Sequence, residues 1–228
     1  RMLHYPLKDK IFNDLKFDSL LEILDPGDVL IMINTKVIPA RIHMQKETGG
    51  HIEILFNKKI DDETIEVIFS SSRPPKHNSL LNINNQNLFK IVSINQKFLI
   101  LKSISNKDHF SIFRTYGEIP LPKYIKRPVT KEDKDRYQTV YASQEGSVAA
   151  PTAGLHFTNN MIEKLIKKGI IIKYITLQIS YNTFKPITVL DYLEHDLGSE
   201  YIEIEESVLN CITDAKIRNS RVVAVGTT

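Results

Sequence analysis

A change of hydrophobic rhythm on either side of residues 52–113 constrains this chain more than any single motif in it. Within that stretch short β-rich pieces, at 52–56, 64–69, 80–83, 88–94, 98–104 and 110–113, are separated at roughly ten-residue intervals by clusters of Asn, Asp, Pro and Lys, the pattern of a small all-β barrel or sandwich. Outside it the pattern differs. The turn Asp25-Pro26-Gly27-Asp28 leads into the apolar run 29–33, which reads as a buried strand. After Gly117 the chain alternates helix 159–168, strand 170–179, short strand 201–204, helix 207–218 and strand 221–225. Helices of that length between apolar strands indicate an α/β layer on a largely parallel sheet, which strand 29–33 is expected to join. A β module thus interrupts an α/β domain.

At 228 residues and 42% hydrophobic content the chain is long and apolar enough for a packed core. It has no apolar run near the roughly 20 residues that a membrane span needs and no cleavable leader, so a cytoplasmic location without membrane contact is expected. The lone Cys211 fits a reducing compartment and excludes disulfides and cysteine-rich zinc sites. A net charge of +3 is too small to hold nucleic acid by charge alone. One basic segment stands out between Lys123 and Arg136, with Lys123, Lys126, Arg127, Lys131, Lys134 and Arg136 and with Tyr124 and Tyr137 flanking. Glu132, Asp133 and Asp135 intervene, so the segment is either a solvated surface or a phosphate contact. Both ends read as cut, the last strand delivering a Gly-Thr-Thr loop of the kind that binds ligands in α/β sheets.

The segment 146–158, GSVAAPTAGLHFT, carries the clearest chemical signal. Eight of its thirteen positions are Gly, Ala, Ser or Thr, which lets a ligand approach the backbone, and Thr158 is placed to cap the following helix, with Gly169 as its stop. A helix N-terminus favours an anion there. His156 is either a general acid or base or a histidine satisfied by a backbone carbonyl. His195, between Glu194 and Asp196, lies either near a site or in a solvated turn. Glu118, stiffened by Gly117, Pro120 and Pro122, either orients a substrate amine or caps a turn. Residues 136–141, RYQTVY, alternate as a half-exposed strand would, with Arg136, Gln138 and Val140 on one face, and their aromatics either stack on a base or pack the sheet. Phosphate-loop, GxGxxG, HExxH and GxSxG motifs are absent, and the histidines show no ligand spacing, so no metal is expected.

Read in order, Pro26-Gly27-Asp28, TKVIPAR at 35–41, KETGG at 46–50, GEIPLP at 117–122, RYQTVYA at 136–142, GSVAAPTAGLHFT and AVGTT at 224–228 resemble the S-adenosylmethionine:tRNA ribosyltransferase-isomerase family of queuosine biosynthesis. The resemblance implies a barrel-like α/β domain formed by both chain ends, residues 1–45 and 114–228, with a small all-β barrel domain, 46–113, inserted in it. It implies transfer of the ribosyl part of S-adenosylmethionine to the 7-aminomethyl-7-deazaguanine of a tRNA anticodon. The products are epoxyqueuosine, adenine and methionine. No cofactor is needed, S-adenosylmethionine being a co-substrate, and a monomer is expected. On this resemblance His156 is the base that takes the C5′ proton beside the sulfonium, with Glu118 and His195 positioning the amine or the leaving group. Thr152, Ala153, Gly154 and Thr158 are assigned to S-adenosylmethionine. Asn34, Thr35, Arg41, Arg136, Tyr137, Gln138 and Thr183 are assigned to the tRNA nucleoside, which must leave the anticodon stack.

The chain departs from the family pattern at Ile33, Gln178, Ser180, Asn182 and Gly198. Gln178 hydrogen-bonds but does not shuttle a proton near neutrality, and Ile33 and Gly198 do neither. Two readings follow: an active transferase, or a diverged non-catalytic paralogue that binds tRNA or S-adenosylmethionine without turnover. An ordinary methyltransferase is disfavoured by the lack of glycine in Asn34-Thr35-Lys36.

Overall fold

The computed structural model describes the chain except for residues 106, 123–124, 185–186, 196 and 227–228. Lys123 and Tyr124 of the basic segment, Asp196 beside His195, and the last two residues of the AVGTT loop therefore lie outside the described residues. In chain order the elements are β1 (Met2–His4), β2 (Asn13–Leu15), α1 (Leu20–Ile23), β3 (Val29–Ile33), β4 (Thr35–Val37), β5 (Arg41–Lys46), β6 (His51–Lys59), β7 (Thr64–Ser70), β8 (Leu80–Ile83), β9 (Gln86–Asn95) and β10 (Phe98–Ser103). They continue with α2 (His109–Tyr116), α3 (Asp133–Arg136), β11 (Gln144–Ser147), α4 (Asn159–Lys167), β12 (Ile171–Gln178), β13 (Tyr201–Glu203), α5 (Glu206–Ile217) and β14 (Val222–Ala224).

Strands β5 to β10 close into a six-stranded antiparallel barrel in the order β10-β7-β6-β5-β8-β9. Its first strand begins at Arg41, ahead of the boundary expected at 46. Inward positions such as Ile42, Ile54, Ile65, Val67, Leu81, Phe89, Ile91 and Leu101 are fully buried, as period-two alternation requires when one face meets a closed interior.

Residues 110–113, expected as a strand, are instead part of helix α2. Asp108 caps it, its carboxylate accepting from the Ser111 N–H at 3.0 Å. The apolar spacing that decides the matter is Ile112, Phe113 and Tyr116, which returns to one helical face. Phe113 plugs the barrel end against Phe56 and Phe89. His109, at the first turn, is buried; burial first and the Lys59 charge second hold its imidazole below the usual range.

The second region is α/β, with a four-stranded sheet in the order β13-β12-β3-β14. The central strand β3 pairs in parallel with β12 and β14, and β13 joins β12 antiparallel. All five residues of β3 are buried, which is why 29–33 reads as an unbroken apolar run. Leu30 and Met32 pack with Met161 and Leu165 of α4 on one face, while Val29 and Ile31 pack with Val208 and Ala215 of α5 on the other.

The turn ahead of β3 is tied to β14. Asp28 accepts from the Arg221 backbone N–H at 2.9 Å, from Arg221 Nε at 3.0 Å and from the Asp25 N–H at 2.8 Å. Burial opposes its ionisation, but the Arg221 side chain and the two backbone donors together hold the carboxyl below the usual carboxylate range.

Residues 136–141 form no strand. They leave α3 and turn towards β11, although the expected alternation survives in their burial, with Tyr137 and Thr139 buried and Arg136 and Val140 exposed. The place of a strand partner is taken by the Gln138 side chain, which accepts from the Val37 N–H at 3.0 Å and donates to the Val37 carbonyl at 2.7 Å.

Candidate active-site cleft

A cleft of about 640 Å³ opens where the rim of the barrel meets the end of the sheet. The barrel side contributes Phe56, Asn57, Lys58 and Lys59 from the end of β6, Ile60 just after it, and Phe110 from α2. The other side contributes Glu145 and Gly146 from β11, Gln178 from the end of β12, and Ser180, Ser199, Glu200 and Tyr201.

Its polar groups are held from behind. Glu145 lies between Arg114 Nη1 at 2.5 Å and Lys36 Nζ at 3.6 Å, an ion-pair set that ties α2 to β4 and β11. The Gln178 Nε2 donates to the Glu145 carbonyl at 3.2 Å. Glu200 Oε1 accepts from the Ser180 N–H at 3.1 Å and from the Thr183 hydroxyl at 3.5 Å, anchoring the turn that follows β12. Lys59 is paired with Asp62 at 2.6 Å, and Lys58 lies 3.8 Å from Glu66. The cleft therefore presents carboxylates, amides, two lysines and aromatic rings.

A family model described as "Queuosine biosynthesis protein" matches residues 1–228. The chain belongs to this family. A crystal structure of S-adenosylmethionine tRNA ribosyltransferase from Thermotoga maritima is similar at 21% identity, with a TM-score of 0.36, over 95% of this chain and 58% of that one. The chain thus spans 58% of the length of that relative.

In this member of the queuosine biosynthesis family the residues expected at the site are spread over three places. The first is the loop before α4. Residues 146–150 are buried, and Ser147 locks them, its hydroxyl donating to the Ala149 carbonyl at 2.7 Å and accepting from the Ile179 N–H at 3.2 Å. Thr152 and Ala153 are exposed on a short 3-10 turn. Gly154 is buried and packed so closely that a Cβ there would lie 2.2 Å from the Tyr141 hydroxyl. Among the described residues that hydroxyl is sealed without a hydrogen-bond partner, and burial pushes its phenol up, with Tyr174 adding to the effect. His156 is exposed, its ring 5.2 Å from that of Phe17. Thr158 caps α4, accepting from the Met161 N–H at 3.2 Å.

The second place is the outer wall of the barrel. Glu118 pairs with Arg41 through both backbone hydrogen bonds of a β-bridge, and its carboxylate lies 3.8 Å from Arg41 Nη1 and 3.5 Å from His43 Nε2. Glu53 completes the group, 3.8 Å from Arg41. The third is the neighbourhood of β4. Asn34 accepts from the Thr176 hydroxyl at 2.9 Å and lines a small cavity of about 120 Å³, while Thr35 is fully buried. Arg136 is exposed, Tyr137 is buried, and Gln138 is committed to Val37.

Only Thr183, through Glu200, is tied to the large cleft. His195 follows a 3-10 turn and is partly exposed. Neither His156, Glu118 nor His195 lines the cleft, and among the described residues no hydrogen bond or ion pair joins the three. Two of the departures from the family pattern, Gln178 and Ser180, do line it. Two others meet each other: Gly198 has φ +70°, and a Cβ on it would lie 2.0 Å from the Asn182 amide nitrogen. Among the described residues no group of three or more His, Cys, Asp or Glu is placed to hold a metal ion, and no helix is long and apolar enough to cross a membrane.

Proposed function

We propose that this chain transfers and isomerises the ribosyl moiety of S-adenosylmethionine onto the aminomethyl group of a 7-deazaguanine in a tRNA anticodon, releasing adenine and methionine. The observation that carries the reading is the family match along all 228 residues. The lining of the cleft agrees with it. Glu200, oriented by the Ser180 N–H, is the carboxylate best placed to meet a cationic amine or sulfonium, and Phe56, Phe110 and Tyr201 offer rings for a base. The sulfonium acidifies the adjacent C5′ proton, and methionine leaves as a neutral thioether. Proton removal from C5′ falls to a carboxylate of the cleft or to His156, which is exposed on the loop before α4 and lies outside the cleft lining.

Incubating the protein with precursor tRNA and S-adenosylmethionine tests the reading, with release of adenine expected. A His156→Gln variant that keeps full turnover would remove that residue as the base and leave the cleft carboxylates. Gln178 favours a second reading, a non-catalytic paralogue, because an amide occupies a cleft position from which a titratable group could exchange protons. Binding of tRNA or S-adenosylmethionine without adenine release would establish it.

A further inference from the structure

We propose that His109 is a pH-operated latch at the mouth of the barrel: a proton on its ring releases the first turn of α2 and, with it, the Phe110 side of the cleft. The ring is almost fully shielded from solvent, and neither of its nitrogens has a hydrogen-bond partner among the described residues. A neutral imidazole left in this way forgoes one donor and one acceptor, while a buried imidazolium would strand two donors and a charge. Packing alone holds the ring. It stands edge-on to Phe110 at a centroid distance of 4.6 Å, and Phe110 meets Phe56 at 5.6 Å, both phenyl rings lining the cleft.

The surrounding charges decide which way a proton pushes. Lys59 at the end of β6 repels a cation, as does the N-terminal end of α2, in whose first turn the ring sits. Asp108 before the helix and Asp62 in the turn after β6 favour one, and the Asp62 backbone does so without closing a bond to the ring. Lys102 of β10 is taken up by Glu63 at 2.6 Å, and Arg114, further along α2, by Glu145 at 2.5 Å. Burial outweighs the two aspartates, so the protonated ring is more stable outside its pocket than in it. The Ser111 side chain holds Asp108 below the usual carboxylate range, and Lys59 does the same for Asp62, so both stay ionised while the histidine titrates. Asp108 is also the cap, accepting from the Ser111 N–H at 3.0 Å through its carboxylate and from the Ile112 N–H at 3.2 Å through its carbonyl. An imidazolium drawn to that carboxylate competes with the cap, and the turn opens. Ile112 and Phe113, fully buried in the barrel core, keep the rest of the helix seated. As a control on the cleft the latch rests on the reading of that cleft as the active site, whereas the opening itself does not.

Amide hydrogen exchange, followed by NMR on the full chain and corrected for the intrinsic rate, tests this. A released ring titrates near about pH 6.5, so the open turn gains about tenfold in population between about pH 7.5 and about pH 5.5. The Ser111 and Ile112 amides are expected to lose protection by that factor, and the loss to be insensitive to about 1 M urea, because a local opening exposes little surface. His109→Phe keeps a ring and removes the titration, so its protection is expected to be the same at both pH values. Should that variant fail to fold, as judged by circular dichroism, the urea dependence of the wild-type amides decides the matter. Protection at Ser111 and Ile112 that ignores pH, a loss that follows urea in step with the core amides of Val67 and Leu101, or a loss that survives in His109→Phe overturns the inference. Adenine release without the local opening removes the latch and keeps the proposed reaction, and the opening without adenine release does the reverse.

Discussion

In the barrel one continuous core runs from Ile42 on β5 to Leu101 on β10 and takes in Phe113 from the plugging helix, whereas the sheet divides its apolar residues between the two faces of β3. The barrel has no free edge. The sheet has two, at β13 and β14, and Tyr201, Ile202 and Val222 on those strands are exposed. A closed core makes each inward side chain answer to all the others, while a two-faced sheet keeps its losses local. The cleft lies where these regimes meet, with a rigid rim on one side and a turn held by Glu200 on the other.

The sharpest way to break this contrast is to open the barrel. Phe113→Ala is expected to cost about 3–5 kcal/mol, read as a lowered urea midpoint, because its ring closes the barrel against Phe56 and Phe89. If barrel and sheet then unfold in separate transitions, the two regions are energetically distinct; a single shifted transition shows that the cleft couples them.

Next comes the turn that organises the sheet. Asp28→Asn is expected to cost about 2 kcal/mol, since it weakens charge-assisted bonds from Arg221. The two regions should also differ in acid. Asp28 is held below the usual range, so its contribution is complete above the unfolded carboxylate value of about 3.9 and is lost as pH falls through the folded value. His109 in the barrel is likewise held down, but from an unfolded value of about 6.5, so the stability tied to its neutral form starts to fall at a higher pH. Wild-type stability is therefore expected to decline first below about pH 6.5, and His109→Gln to flatten that first decline only.

A smaller effect is expected at the turn beside the cleft. Gly198→Ala places a Cβ at a positive φ and against Asn182, for about 1–2 kcal/mol, and Asn182→Gly in the same chain should recover the part due to the clash. A double-mutant cycle by thermal melting measures that part. The smallest is Thr158→Ala, expected to cost about 1 kcal/mol by removing the α4 cap, with no change in the barrel's own unfolding.

Much of this organisation was legible in the sequence because period and turn chemistry act locally. The strand at Leu80–Ile83, the helix capped by Thr158 and the five-residue run of β3 all lie where the pattern puts them. The segment 110–113 misleads because Phe-Ser-Ile-Phe fits a strand as well as a helix, and only Asp108 before it and Tyr116 after it break the tie. Residues 136–141 mislead because burial alternates there although the backbone leaves a helix and joins no strand ladder among the described residues. The cleft was legible only in part. Gln178 stood out as a departure from the family pattern, but Asn57 becomes a wall residue through a slip in register between two strands, and Glu145 through an ion pair with Arg114 thirty-one residues away. Neither has a signature in local spacing.

The clamp of Gln138 on Val37 has a consequence for how the molecule behaves among its copies. Val37 turns its N–H and carbonyl away from β11, where a bare strand would offer them as a template to any passing extended segment. A primary amide sets an N–H donor and an oxygen acceptor side by side at the spacing of a peptide group, with a second N–H left over, so this single side chain caps the border as a one-residue counterfeit strand. Glutamate in its place would lose the donor half of the disguise and leave a ragged seam open to self-association.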